Sequence, residues 1–250
     1  MGRRPVLYFR RIVSHRGALT NMTSISANLQ AVNARIAAAA RLAGRDPASV
    51  RLLAVSKTKP AEDVRAAAAA GQHAFGENYV QEGADKVAAL RDLAVEWHFI
   101  GPLQSNKTRL VAGSFDWVHG IDRLKIAERL SAQRDAHLPP LQVCIQVNVS
   151  GEDSKSGVQP AELAPLALAV AALPRLCLRG LMCIPEPSED AGLLRRRFGL
   201  LRELKDELMG RGLVLDTLSM GMSDDLELAI AEGATIVRVG TAIFGERARP

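Results

Sequence analysis

The sequence has 250 residues, of which 48% are hydrophobic and 24% charged, a composition typical of one globular domain with a sizeable core. No apolar run approaches the ~18–20 residues of a membrane-spanning helix. The formal net charge is +5, but five of the 32 basic residues lie within residues 1–21, and the other 27 equal the acidic residues in number. Outside this segment the chain is neutral, which argues against a nucleic-acid partner.

The first 22 residues differ from the rest of the chain because they are rich in arginine and contain no acidic residue. A targeting segment can have this composition, but the stretch lacks the long apolar run of a secretory signal. We interpret residues 1–22 as a disordered basic extension, with Met22 as a natural first residue. Residues 23–250 are expected to form a single domain.

The three cysteines do not indicate a disulfide framework or a metal site. Cys144, Cys177 and Cys183 are odd in number, form no Cys-x-x-Cys pair and have no histidine at a zinc-binding spacing. Cys144 and Cys177 lie in apolar runs, which predicts core positions. The pattern fits a reducing compartment, and we expect a cytoplasmic protein without a bound metal.

A helix followed by eight strand–helix units accounts for the hydrophobic pattern. Residues 23–44 form the predicted helix, whose apolar positions are Ile25, Leu29, Val32, Ile36 and Ala40. After a first strand that runs to Lys57, the predicted strands are His73–Phe75, Val95–Ile100, Trp117–His119, Leu141–Val149, Cys177–Ile184, Leu215–Ser219 and Thr235–Val239. The predicted helices between them cover residues 61–70, 78–92, 104–112, 123–135, 160–173, 189–210 and 223–232.

Strands that alternate with helices predict an α/β protein with a parallel sheet. Eight such units with right-handed crossovers favour a single (β/α)8 TIM barrel, here with an extra N-terminal helix. An open doubly wound sheet is the alternative. The first strand is not followed by Gly-x-Gly-x-x-Gly, which argues against its dinucleotide-binding form.

Lys57 follows the first strand, where an apolar run ends in Ser56-Lys57-Thr58-Lys59-Pro60. A lysine at the carboxyl end of a buried strand loses part of its hydration, which favours the neutral, nucleophilic amine. The alternative is a side chain that only extends to water at a strand end. Taken alone, this stretch favours the second interpretation.

Two segments near the C-terminus have the features of a phosphate site. The segment from Ser219 through Met220 and Gly221 to Asp225 follows the seventh strand and opens a helix, where small residues let backbone N–H groups approach an anion. Within it, Ser223 and Asp224 are alternatively ordinary helix-cap residues. Gly240 and Thr241 follow the eighth strand and add a hydroxyl. Barrels often bind phosphate with these two loops.

Arg238 lies in an otherwise apolar strand, so a buried guanidinium needs a partner, and a salt bridge to Glu77 or Asp122 is one solution. His98 is predicted to be a hydrogen-bonded core residue rather than an acid or base at the rim. A strand-end amine opposite a phosphate site indicates an aldehyde phosphate held as a Schiff base, either pyridoxal 5′-phosphate (PLP) or a sugar phosphate. Lys155 is a rival amine.

The chain from about residue 23 to 247 resembles the pyridoxal phosphate homeostasis family, the YggS/PROSC type of PLP-binding protein. The matching segments are Leu53-Ala54-Val55-Ser56-Lys57-Thr58-Lys59-Pro60, Phe75-Gly76-Glu77-Asn78-Tyr79-Val80-Gln81-Glu82, Trp97-His98-Phe99-Ile100-Gly101-Pro102-Leu103-Gln104-Ser105-Asn106-Lys107, Ser154-Lys155-Ser156-Gly157, Gly180-Leu181-Met182, Leu218-Ser219-Met220-Gly221-Met222-Ser223-Asp224-Asp225 and Val237-Arg238-Val239-Gly240-Thr241-Ala242-Ile243-Phe244-Gly245. Together these motifs are highly specific.

The resemblance implies a barrel like the N-terminal domain of alanine racemase, with PLP as a Schiff base on Lys57. It also implies that Ser219, Gly240 and Thr241 hold the phosphate, with Met220 and Gly221 in the same loop. Arg238 would then face the pyridine nitrogen, and Asn78 would lie near the ring.

A permanently charged guanidinium beside the ring nitrogen disfavours its protonation, which weakens the ring as an electron sink. The sequence also ends soon after the predicted eighth strand, so we expect no second domain of the kind that the racemase uses. We therefore expect a non-catalytic protein of intracellular PLP homeostasis, a monomer that supplies PLP-dependent apoenzymes. The alternatives are a PLP-dependent amino-acid racemase-like enzyme and a Schiff-base aldolase or isomerase of sugar phosphates.

Overall fold

Eight parallel strands form a closed barrel in which consecutive strands pair and β8 pairs with β1. The computed structural model describes residues 15–151 and 156–246, with side chains from Ser24 onward. The strands are β1 (Arg51–Val55), β2 (Ala74–Glu77), β3 (Glu96–Phe99), β4 (Trp117–Ile121), β5 (Leu141–Gln146), β6 (Leu176–Met182), β7 (Thr217–Ser219) and β8 (Ile236–Val239). The predicted (β/α)8 barrel is confirmed, and the doubly wound alternative is wrong.

Helices separate the strands and pack on the outside of the barrel. They are α1 (His15–Leu42), α2 (Ala61–Ala69), α3 (Val80–Ala89), α4 (Thr108–Ser114), α5 (Leu124–Gln133), α6 (Pro160–Ala171), α7 (Ala191–Gly210), α8 (Leu226–Ala231) and α9 (Thr241–Phe244). Short 3-10 turns cover Pro47–Ser49 and Ser105–Lys107. The sequence predicted neither the first of these turns nor α9, because each is too short to show a periodic pattern.

The N-terminal helix is longer than predicted. It begins at His15, within the segment that the sequence predicted as a disordered extension of residues 1–22. Arginine favours helix about as strongly as leucine does, so the composition that indicated a basic extension is also compatible with a helix. Residues 1–14, on which the rest of that prediction falls, lie outside the described residues.

The extra helix is fixed to the barrel by one apolar face. All five predicted positions are buried: Ile25, Leu29, Val32, Ile36 and Ala40. This face contacts α2, α8 and α9, the helices on either side of the junction between β1 and β8. As a result α1 covers the junction and brings Arg35 to the carboxyl end of the barrel.

Candidate functional site

A cavity of about 470 Å³ opens at the carboxyl ends of the strands. Five of the eight predicted site residues line it: Lys57, Asn78, Arg238, Gly240 and Thr241. The other lining residues are Arg35, Val55, Lys59, Ile100, Ile184, Met222, Ser223, Asp224, Ala242 and Gly245. Closure of the barrel therefore brings the loops after β1, β2, β7 and β8 around one space.

Lys57 is half-buried in the turn that follows β1, and buried polar groups fix this turn. The Lys86 amine donates to the Ser56 carbonyl at 2.7 Å. The Glu82 carboxylate accepts hydrogen bonds from the Thr58 N–H and the Lys86 amine, both at 2.6 Å. Thr58 has a φ of +63°, a left-handed conformation that such contacts must hold in place.

Glu77, at the end of β2, completes this polar cluster inside the barrel wall. Its carboxylate accepts from the Lys86 amine at 2.9 Å and from the Ser56 hydroxyl at 2.7 Å. Burial raises the pKa of Glu77, and the ion pair with Lys86 opposes that rise. The Oε2 atom of Glu77 has no hydrogen-bond partner in the described part of the chain.

Asn78 places an acceptor without a partner at the cavity. Among the described residues, its buried Oδ1 atom receives no hydrogen bond. The backbones of Asn78 and Gly101 lie close together, since a Cβ on residue 101 would be 2.2 Å from the Asn78 carbonyl oxygen. Only glycine at position 101 permits that approach, and a buried acceptor of this kind is completed by a ligand donor or by water.

Only the later part of the predicted phosphate segment after β7 lines the cavity. Ser219 and Met220 are fully buried, and Ser219, Met220 and Gly221 do not line the cavity. The next residues, Met222 and Ser223, reach it instead. The glycine allows the chain to turn outward over α8, because Gly221 has a φ of +92°.

Arg238 lies on β8 with its side chain almost wholly buried. Its NH1 group donates to the Ser219 carbonyl at 2.6 Å and to the Ser219 hydroxyl at 2.8 Å. Its NH2 group donates to the Cys183 carbonyl at 2.8 Å. Burial lowers the pKa of Arg238. The alternative of a salt bridge to Glu77 or Asp122, which the sequence left open, is not found, because those carboxylates pair with Lys86 and Arg123.

Two further basic residues stabilise the walls of the cavity. The Lys59 amine donates to the carbonyls that end α9, at 2.9 Å to Phe244 and 3.1 Å to Gly245. Arg35 forms an ion pair with Glu227 and donates to the Ser223 carbonyl at 3.0 Å. No local pattern marks Arg35, because its position depends on the packing of α1 on α8, about 190 residues away in sequence.

The remaining predictions have mixed outcomes. His98 is a fully buried, hydrogen-bonded core residue, as predicted, but Cys177 is only half-buried. Lys155 lies outside the described residues. Within the described ranges no cluster of three or more histidine, cysteine or acidic side chains could hold a metal ion. The helices described there are too short or too polar to cross a membrane.

The chain is similar to characterised families over most of its length. The family model for the N-terminal domain of alanine racemase matches residues 27–248. A curated relative in Pseudomonas aeruginosa, named pyridoxal phosphate homeostasis protein, is 63% identical over 226 residues, covering 90% of this chain and 97% of the relative. A relative of the same name in Escherichia coli strain K12 is 58% identical over 232 residues, covering 90% and 98%.

Solved structures also match this chain over most of its length. PipY of Synechococcus elongatus PCC7942, with PLP bound, has a TM-score of 0.77 and 40% identity, covering 88% of this chain and 100% of that one. Alanine racemase from Corynebacterium glutamicum has a TM-score of 0.68 and 19% identity, covering 90% and 62%, and shows a shared fold alone.

Proposed function

The chain belongs to the family of pyridoxal phosphate homeostasis proteins, and we propose that it binds PLP in the cavity at the carboxyl ends of the strands. The observation that carries the proposal is the convergence of Lys57 and Arg238 on one cavity. The PLP-bound PipY structure, at 40% identity, supports it.

The residues present fit this cofactor. The cavity volume of about 470 Å³ is typical of small-molecule sites, which span roughly 300–1,000 Å³. Its described lining contains four basic residues and one acidic residue, which favours a ligand with a negatively charged phosphate: Arg35, Lys57, Lys59, Arg238 and Asp224. The Oδ1 atom of Asn78 would accept a hydrogen bond from the ligand, which would satisfy a buried polar atom.

Four of the lining residues have a proposed part in holding the cofactor. Lys57 is the covalent attachment point, through a Schiff base between its amine and the aldehyde. Ser223, Gly240 and Thr241 hold the phosphate with a hydroxyl pair and close backbone. The resemblance placed Ser219 at the phosphate, with Met220 and Gly221 in the same loop. We propose that these three residues lie below the cavity wall and position the loop that carries Ser223.

Arg238 decides how reactive the site is. When bound, PLP supplies an aldehyde that takes up amines and a ring that withdraws electrons once its nitrogen is protonated. The Arg238 guanidinium stays charged and has no proton to give at physiological pH, so beside that nitrogen it disfavours the protonated ring. We therefore propose that the protein holds and releases PLP without turnover. The proposal places it in the cytoplasm, as a monomer that supplies PLP to apoenzymes.

An absorbance spectrum of the protein with added PLP tests this function. The wild type should develop the visible band of a lysine Schiff base, and Lys57→Ala should lack it. Lys125→Ala, an exposed lysine on α5, serves as the control and should keep the band. A colourless wild type after incubation with PLP would reject the proposal. Amino-acid racemisation that Lys57→Ala abolishes would replace it with a catalytic function.

A further inference from the structure

A chain of hydrogen bonds runs from the partly exposed Glu96 through buried side chains and crosses the interior of the barrel beneath the cavity. It runs through Glu96 and His98 on β3, His119 on β4, Ser219 on β7 and Arg238 on β8. The links are 2.6 Å from Glu96 Oε1 to His98 Nε2, and 2.9 Å from His98 Nδ1 to His119 Nε2. They continue at 2.8 Å from His119 Nδ1 to Ser219 Oγ, and at 2.8 Å from Ser219 Oγ to Arg238 NH1. We call it the Glu96–Arg238 chain.

The chain joins the two mouths of the barrel. Glu96 lies at the amino-end mouth, where it pairs with Arg51 at 2.7 Å and lines a second cavity of about 350 Å³. His98, His119 and Ser219 are each 0% exposed. β4 and β7 are not neighbours in the closed barrel, so the link from His119 to Ser219 spans the interior rather than the wall.

The chemistry of the two ends fixes the direction of every bond. Burial would raise the pKa of Glu96, but hydrogen bonds from His98 and Arg51 and the charge of Arg51 outweigh it and lower the pKa, so Glu96 is an ionised acceptor. At the other end, the Arg238 guanidinium can only donate. Burial lowers the pKa of both His98 and His119, so each imidazole is neutral, with one donor and one acceptor nitrogen.

Only one arrangement satisfies these limits. His98 donates from Nε2 to Glu96, so its Nδ1 must accept from His119 Nε2. The Nδ1 of His119 then accepts from the Ser219 hydroxyl. That hydroxyl oxygen in turn accepts from Arg238. Both imidazoles therefore carry their proton on Nε2.

We propose that Glu96, His98, His119 and Ser219 are positioning residues, which hold Arg238 in the orientation that faces the ligand by aligning their hydrogen bonds in one direction. The inference rests on the proposed function, because it assigns these residues to the PLP site. Among the described residues Arg238 forms no ion pair with a carboxylate, so carbonyls and the aligned Ser219 hydroxyl must offset the burial of its charge. Hydrogen bonds that point the same way polarise one another and strengthen that acceptor.

Nitrogen-15 NMR of the histidine rings tests the direction of the chain without any ligand. Both His98 and His119 should appear as neutral imidazoles protonated on Nε2. A proton on Nδ1 of either ring, or a charged ring at neutral pH, would overturn the proposal. His137, an exposed histidine, provides the internal reference for a ring in water.

Binding measurements on four variants test the positioning role. Glu96→Leu and His119→Leu should each raise the Kd for PLP roughly tenfold, because a buried partner is left unsatisfied, and should weaken the circular dichroism band of the bound cofactor. Glu96→Gln keeps the acceptor oxygen for His98 and should restore both values to within about twofold. Asp216→Asn, which breaks an arginine pair at the same mouth outside the chain, is the matched control and should bind like the wild type.

Each outcome is decisive. A folded Leu variant with the wild-type Kd and dichroism band would overturn the positioning role, even if its unfolding temperature fell. Failure of Glu96→Gln to restore binding would overturn the directional chain. If His119→Leu does not fold, Glu96→Leu decides alone, because Glu96 is about one-third exposed. If the wild type takes up no PLP, the proposed function fails, while the NMR result still decides the direction of the chain.

Discussion

Lys57 and Arg238 reach the cavity from neighbouring strands, yet the chain holds them by different means. Arg238 lies within β8, with its guanidinium bound to two carbonyls and a hydroxyl. Lys57 lies in a turn, and the buried amine of Lys86 holds that turn against β2. The Lys86 amine, which pairs with both Glu77 and Glu82, therefore supports the proposed attachment point.

The first prediction concerns Lys86. Its side chain is 8% exposed and that of Glu77 is 0% exposed, so Lys86→Ala leaves an uncompensated carboxylate in the barrel wall. We expect the free energy of unfolding to fall by about 3–5 kcal/mol, as it does when one partner of a buried pair is removed. Urea unfolding measures the change, with Lys125→Ala as an exposed lysine control. A loss below about 1 kcal/mol would show that the pair does not support the turn.

The second prediction concerns pH. Burial lowers the pKa of His98 and His119 below 6.5 in the folded protein, so both are neutral in the fold and take up protons when it unfolds. Their contribution to stability is present above pH 6.5 and is lost as pH falls through the folded pKa values. Hydrogen bonds from His98 and Arg51 lower the pKa of Glu96, so its carboxylate stays ionised over the whole pH range in which the two histidines titrate.

Unfolding curves between pH 7.5 and 5 measure this effect. Stability should fall with pH, with a slope of up to about 1.4 kcal/mol per pH unit for each histidine. His119→Gln removes one titrating ring and should give a shallower slope. The same slope in the variant and the wild type would show that His119 does not contribute.

At the scale of elements, the loop between β7 and α8 determines which residues reach the cavity. Gly221 adopts a φ of +92°, and a Cβ there would lie 2.6 Å from the Cβ of Ala229 on α8. The loop can therefore pass over α8 only with glycine at this position. Met222 and Ser223 then enter the cavity wall.

The third prediction follows from this loop. Gly221→Ala should destabilise the protein by about 1–3 kcal/mol, through the positive φ and the close Cβ contact, and should weaken PLP binding. Gly113→Ala is the matched control, since a Cβ there meets nothing within 4 Å. Alanine in that helical position should be neutral or should stabilise by about 0.5–1 kcal/mol. Equal effects of the two substitutions on stability and PLP binding would contradict this account of the loop.

Periodicity predicted the elements because each one repeats a local pattern. The apolar face of α1 and all eight strands were identified from the sequence, with ends displaced by a few residues. The sequence indicated the segment from Ser219 to Asp225, but which of its residues reach the cavity could not be predicted, because that depends on contact between Gly221 and α8. The four residues of α9 were too few to show a period.

At the scale of the whole molecule, closure of the barrel creates the site. The pairing of β1 with β8 places Leu53 beside Arg238, so residues about 180 positions apart in sequence line one cavity. The general rule for barrels predicted this meeting of strand ends. The Glu96–Arg238 chain was not predictable, because lone histidines on apolar strands give no sign of partners across the interior.

The central claim is that the Lys57 amine is the attachment point for PLP. Borohydride reduction of the PLP-loaded protein, followed by peptide mass spectrometry, tests it directly because reduction fixes the cofactor on the lysine that holds it. Because Lys57 and Lys59 lie in the same peptide, fragmentation of that peptide must assign the label to one residue. We predict stoichiometric labelling of Lys57 itself, and no labelled cavity lysine in Lys57→Ala. Stoichiometric labelling of Lys59, the other lysine in the described lining of the cavity, or of Lys155 with Lys57 unmodified would contradict the account.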